Sequence, residues 1–178
     1  MAAMNARILT LLTAIVAAAA LRLLPHPPNF TPIGAMALFS GAQFGRRPLA
    51  FVAPLGALLL SDAVLGFHVW MPFVYGSIAL IVLIGWFALS RVSVLRLAGA
   101  AVASSVLFFA VTNFGIWMFG GTYPQTIAGL AACYLAAIPF FQNTLAGDLF
   151  YTGVLFGGFA LLERAVPVLR KGAVPQPA

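Results

Sequence analysis

Apolar residues fill this chain in long runs, and polar residues collect mainly in the short gaps between them. A helix needs about 20 apolar residues to cross a bilayer, fewer when it is tilted or enclosed by other helices. The runs at 7–24, 33–45, 48–67, 71–90, 97–119 and 143–163 therefore predict six spans. The second, IGAMALFSGAQFG, is short and rich in small residues, which suits a helix packed inside a bundle more than one facing lipid. A further apolar stretch, 125–141, is interrupted by Pro139. Proline removes a helical hydrogen bond, so this stretch is expected to be a short helix at the outer face that ends near Pro139.

The positive charges support that choice. With the N-terminus in the cytoplasm, six crossings bring Arg7, Arg46, Arg47, Arg91, Arg96, Arg164, Arg170 and Lys171 to the inner side, as the positive-inside rule requires. A seventh crossing at 125–141 would carry the last three of these outside. The expected architecture is an all-α integral membrane protein of six transmembrane helices with both termini cytoplasmic. It forms a single domain over 1–171, with a loose tail at 172–178. The first run lacks a small-residue cleavage site and opens a continuing series, so it is expected to be retained as a helix.

Composition agrees with this class: 63% of residues are hydrophobic and 7% charged, with a mean hydropathy of +1.07. A soluble domain is about 45–50% apolar and about 25% charged. The net charge of +6 is read loop by loop as a topology signal, and no nucleic-acid partner is expected. The single cysteine, Cys133, forms no intrachain disulfide and is expected to be a small packing residue. No GxSxG, P-loop, HExxH or DxD pattern is present, so the chain is read as a non-enzyme without cofactor or metal.

Candidate chemistry lies with the polar residues inside the spans. Of three acidic residues, Asp62 and Asp148 interrupt membrane-length apolar runs and Glu163 closes the last one. A charge at the bilayer centre costs roughly 2.5–3.5 kcal/mol or more, so such residues face a cavity, a partner or a path. At a rise of about 1.5 Å per residue, Arg22, Asp62, Asn113 and Asp148 all fall in the outer quarter to third of the membrane. His26, Asn29 and Thr31 lie in the loop above them, His68 lies in the next outer loop, and Asn143 opens the sixth span. Tyr75, Trp117, Tyr123 and Tyr151 sit at the same level. Two readings follow. One is an outward-facing pocket roofed by the proline-rich loop PHPPNFTPI. The other is a helix-packing network in which Arg22 pairs with Asp62 or Asp148 and the aromatics form an interfacial belt. On the first helix, Ala14 and Ala18 make a small-xxx-small step, which suits either internal packing or a docking face for another membrane subunit.

The run PNFTPIGAMALFSGAQFGRRPLAFVAPLGALLLSDAVLGFH resembles the second-and-third-helix region of the substrate-binding S components of energy-coupling factor (ECF) vitamin transporters. AAIPFFQNTLAGDLFYTGVLFG is similar to that family's entry into its last helix. The whole chain is also similar to an uncharacterised group of small bacterial membrane proteins carrying PNFTPIGA, SDAVLGF and TNFGIW. The resemblance implies a six-helix S-component-like fold in the plasma membrane. It also implies an Ala14/Ala18 docking face for an energising transmembrane subunit with its ATPases. The expected function is capture of a small water-soluble micronutrient: a vitamin, a precursor or a metal chelate. Asp62 and Asp148 would meet donors or a cationic group on it, and Arg22 an anionic group. Asn29 and Asn113 would hydrogen-bond it, and His26, His68, Tyr75, Trp117, Asn143 and Tyr151 would complete the site. The alternative is a structural or assembly subunit of a larger membrane complex.

Overall fold

The structure, a computed structural model, describes residues 2–170, with side-chain environments from residue 6 onward. Lys171 and the expected tail at 172–178 lie outside the described residues. Within them the chain is entirely helical: α1 (Ala2–Ala20), α2 (Ile33–Phe44), α3 (Leu49–Leu65), α4 (Met71–Ala88), α5 (Val94–Phe119) and α6 (Ile127–Ala165). A single 3-10 turn, Leu21–Leu23, extends α1, and another, Pro167–Leu169, follows α6. Four segments are long and apolar enough to cross a membrane: Ala6–Leu23, Met71–Ala88, Val94–Phe119 and Ile127–Ala165. α2 and α3 are shorter, at 12 and 17 residues.

The distribution of side chains is that of a helical membrane protein. Leu60, Val64, Phe67 and Phe87 are about two-thirds exposed or more, whereas Ser40, Ser77, Ser104 and Ser105 are completely buried. Lipid is as apolar as leucine, so the exposed leucines cost nothing there, and the inward hydroxyls bond to backbone carbonyls. Ser40 donates to Ala50 O at 2.8 Å, and Ser104 donates to Ala100 O at 2.8 Å.

α2 is the axis of the bundle and touches each of the other five helices. Every residue from Ile33 to Gly41 is buried. The small residues anticipated for this helix let its neighbours approach to backbone contact. A Cβ on Gly41 would strike the carbonyl of Val82, and one on Gly85 would strike the backbone of Leu38. α2 and α4 thus cross glycine against backbone, and Phe39 closes the other side edge-on to Phe156 and Phe159 of α6. Gly45 (φ 57) and Gly66 (φ 103) end α2 and α3 in conformations that side-chain-bearing residues rarely adopt.

One end of the bundle is tied by Arg7. Its guanidinium donates to Glu163, to the carbonyl of Leu169 and, at 2.7 Å, to Gln43. It also lies over the Phe159 ring, 5.0 Å from the centroid. The start of α1, the end of α2 and the end of α6 therefore meet at this cluster. Arg46, Arg47, Arg91, Arg96, Arg164 and Arg170 are all exposed in the loops and helix ends on this same side.

Two expectations are corrected here. The stretch 125–141 is no separate short helix. It is the first part of the 39-residue α6, and Pro139 lies inside that helix instead of ending it. The missing hydrogen bond at Pro139 is outweighed by packing on α5, where Tyr134 donates to Ala110 O and Phe109 stacks on Phe141 at 5.0 Å. At about 1.5 Å per residue α6 is about 58 Å long, nearly twice the hydrocarbon thickness. The Ala14/Ala18 step, in turn, is not an open docking face. Ala18 is 5% exposed within this chain's own core, Ala14 is packed against that core, and α1 lies on α2 and α3.

The α2–α4 crossing yields a direct test. Gly85→Val should lower the melting temperature in detergent clearly, with a cost of about 1–3 kcal/mol for overpacking. Gly153→Val, at a position where a Cβ meets nothing within 4 Å, serves as the control and should leave it unchanged.

Candidate functional site

At the end of the bundle opposite Arg7, the helices separate around a cavity of about 540 Å³. Its walls come from every helix. The end of α1 supplies Arg22, α2 supplies Ile33 and Gly34, and α3 supplies Asp62. α4 and the residue before it supply Val74 and Trp70, with His68 beside them. α5 contributes Phe108, Phe109, Thr112, Asn113 and Ile116. α6 contributes Cys133, Ala137, Phe140, Thr144 and Asp148. The loop between α1 and α2 adds Pro28, Asn29 and Thr31, and Tyr123 reaches in from the loop before α6.

The first charged element is a chain of contacts across α1, α3 and α4. Nη1 of Arg22 donates to Oδ1 of Asp62 at 2.8 Å and also to the hydroxyl of Ser61. Tyr75 donates its hydroxyl to the other carboxylate oxygen, Oδ2, at 2.9 Å. Ser61 passes its own proton to Leu58 O at 2.8 Å. Both side chains of the ion pair are largely buried, at 14% and 7% exposed. Of the two pairings left open by the sequence, Arg22–Asp62 is the one formed.

Asp148 does something different. It is 3% exposed and has no cationic partner among the described residues. Oδ2 accepts from Ser105 at 2.6 Å, and the carboxylate lies against the first turn of α2 beside Gly34 and Ala35. Ala35 lies in the first turn of α2, whose N-cap, Pro32, offers no side-chain cap. The first four N–H groups of a helix lack intrahelical partners and carry the positive end of its dipole. Asp148 therefore caps α2 from another helix. A Cβ on Gly34 would collide with the carboxylate, so glycine here keeps the approach open.

The loop over the cavity is anchored at several points. Asn143 donates from Nδ2 to Pro28 O at 2.9 Å, and Phe30 packs on Phe150 and Tyr151 at 5.8 and 5.5 Å. Asn29 adopts a positive φ of 63°, a conformation asparagine tolerates better than most residues. A Cβ on Gly147 would press on Phe30 and Thr31, so the loop sits directly on α6.

Of the residues expected at the site, Arg22, Asn29, Asp62, His68, Asn113 and Asp148 line the cavity. Five others do not, and each has another task. Tyr75 serves Asp62 from behind, and Asn143 and Tyr151 hold the loop. Trp117 donates from Nε1 to Pro124 O at 2.9 Å and fixes the turn after α5. His26 bonds to the carbonyl of Pro27 at 3.0 Å. Among the described residues no three His, Cys, Asp or Glu side chains gather into a metal site.

The residues that sequence reasoning passed over have a common pattern. Cys133, Ala137, Phe140 and Thr144 lead in steps of three or four to the expected Asp148, along one face of a single helix. That stripe is visible only if α6 runs through Pro139, and a break there divides it. On α5, Phe109 and Ile116 lie one turn either side of Asn113 and follow from the same spacing.

The chain belongs to a family of unknown function (DUF6580), whose model matches residues 2–169. No curated protein and no solved structure matches it.

The Arg22–Asp62 pair generates a second test. Breaking a buried pair strands its partner and costs about 3–5 kcal/mol, whereas removing both charges is often nearly neutral. Asp62→Asn should therefore lower the melting temperature strongly, and Arg22→Gln combined with Asp62→Asn should recover most of the loss. Additive losses in the double variant would show that the two residues are not energetically coupled.

Proposed function

We propose that the protein captures a small water-soluble molecule, such as a vitamin, a precursor or a metal chelate, from outside the cell and passes it to an uptake machinery. The observation that carries this reading is the cavity of about 540 Å³, formed by all six helices and roofed by an anchored loop. Ligand sites are concave, mostly apolar and fitted with a few fixed polar groups, and their usual volume is about 300–1,000 Å³. Here the apolar wall comes from Phe108, Phe109, Ile116 and Phe140, and the fixed polar groups from Arg22 and Asn113.

In this reading the chain crosses the plasma membrane six times with its termini in the cytoplasm. The arginine-bearing end then faces inward, following the positive-inside rule, and the cavity faces out. The chain carries no nucleotide-binding motif, so energy would come from a separate ATPase module, as in the ECF transporters that its second and third helices resemble. The membrane lipid and such a module are its proposed partners, and it is not itself an enzyme.

A second reading, a structural subunit of a larger complex, draws support from one observation. Both intramembrane aspartates are already engaged within the chain, Asp62 by Arg22 and Tyr75 and Asp148 by Ser105 and α2. The two readings differ in what they predict for the cavity. Mass spectrometry of small molecules released from the purified protein should find a defined compound, and Ala137→Trp, which fills the cavity from the α6 wall, should abolish it. An empty wild-type protein whose melting temperature no water-soluble metabolite raises would favour the structural reading instead.

A further inference from the structure

Recognition of an occupant falls to the polar atoms the chain has not already used. Neither aspartate offers much. Each oxygen of Asp62 has a donor, from Arg22 or Tyr75. Asp148 takes Ser105 on one oxygen and lies against the first turn of α2 with the rest of its carboxylate. A cationic ligand would have to share either carboxylate with donors already in place.

Arg22 is the reverse case. All of its bonds to the described residues leave from Nη1, to Asp62 and Ser61. Nη2 and Nε have no acceptor among those residues, and the side chain lines the cavity. These two N–H groups form one edge of a planar fork, whose spacing matches the two oxygens of a carboxylate. The other side of the guanidinium is held by a salt bridge and a hydroxyl, so the edge is fixed in place before anything binds. Farther along the wall, the Asn113 amide donates to Phe109 O at 2.8 Å and keeps its carbonyl oxygen uncommitted. Most of the remaining wall is apolar or aromatic.

Resting on the capture reading above, we infer that the ligand is an aromatic or largely apolar carboxylate, received by the Nε–Nη2 edge of Arg22. Asp62, Ser61 and Tyr75 are positioning residues that aim the guanidinium and do not touch the ligand. This reverses the sequence-based expectation that the aspartates meet a cationic group.

Matched pairs test it: benzoate with benzamide, nicotinate with nicotinamide, and indole-3-acetate with indole-3-acetamide, each titrated against the full chain in nanodiscs. At least one carboxylate should bind about tenfold more tightly than its amide, the margin expected of a charge-assisted paired contact. Arg22→Lys keeps a cation beside Asp62 but lacks the planar edge. It should erase most of that preference by bringing carboxylate affinity down towards that of the matched amide. Tyr75→Phe should reduce the carboxylate-to-amide ratio severalfold, a change that mere loosening of the bundle would not produce. Amides that bind as well as carboxylates, or a ratio that Arg22→Lys leaves intact, would overturn the anion subsite and leave the capture reading standing. If no pair binds and the purified protein also releases no compound, both fall together.

Discussion

A helix buried along its whole length needs partners for the backbone groups that its own ladder leaves unpaired at either end, because hydrocarbon supplies none. α2 is buried from Ile33 to Gly41, and its N-cap, Pro32, brings no capping side chain. The carboxylate of Asp148 fills that role from α6, steadied by Ser105 of α5. Three helices are thereby fixed to one another by a single acidic side chain. The acceptor oxygens of Asp148 and the positive end of the α2 dipole suit one another in that buried position. Gly34 is required for the contact, since any larger residue would push α6 away.

The two buried aspartates, alike in sequence, therefore divide the labour. Asp62 holds an arginine still, and Asp148 closes a helix end. A buried carboxylate is costly in either place; both accept from a hydroxyl, and Asp62 adds an arginine where Asp148 adds the start of α2. The cavity between them is left with an arginine edge, an amide carbonyl and aromatic walls, a surface set by what the two acids leave uncommitted.

Much of the architecture was legible in the chain. Runs of apolar residues located α1 to α5 within a few residues, and the small residues of IGAMALFSGAQFG correctly marked α2 as enclosed. Counting residues inward from the span ends brought Arg22, Asp62, Asn113 and Asp148 to one level, and all four line the cavity. The misreadings have physical causes. Proline is a strong local signal for a helix end, but tertiary packing on α5 overrides it at Pro139. A small-xxx-small step states that something packs closely, not whether the partner is the same chain, and for Ala18 it is. Depth also says nothing about the direction of a side chain, so Trp117 and Tyr151 stood at the right height and turned elsewhere.

The continuity of α6 has a mechanical meaning. Phe140, Thr144 and Asp148 form cavity wall, and Glu163, on the same unbroken helix, belongs to the Arg7 cluster at the opposite end. From Asp148 to Glu163 the helix runs about 22 Å without proline. A helical segment of that length behaves as a strut: a tilt imposed at the cavity reappears as a displacement among the arginines at the far surface. The protein thus contains a stiff connecting rod between its two ends, and Pro139 lies on that rod beside the chamber, next to Phe140.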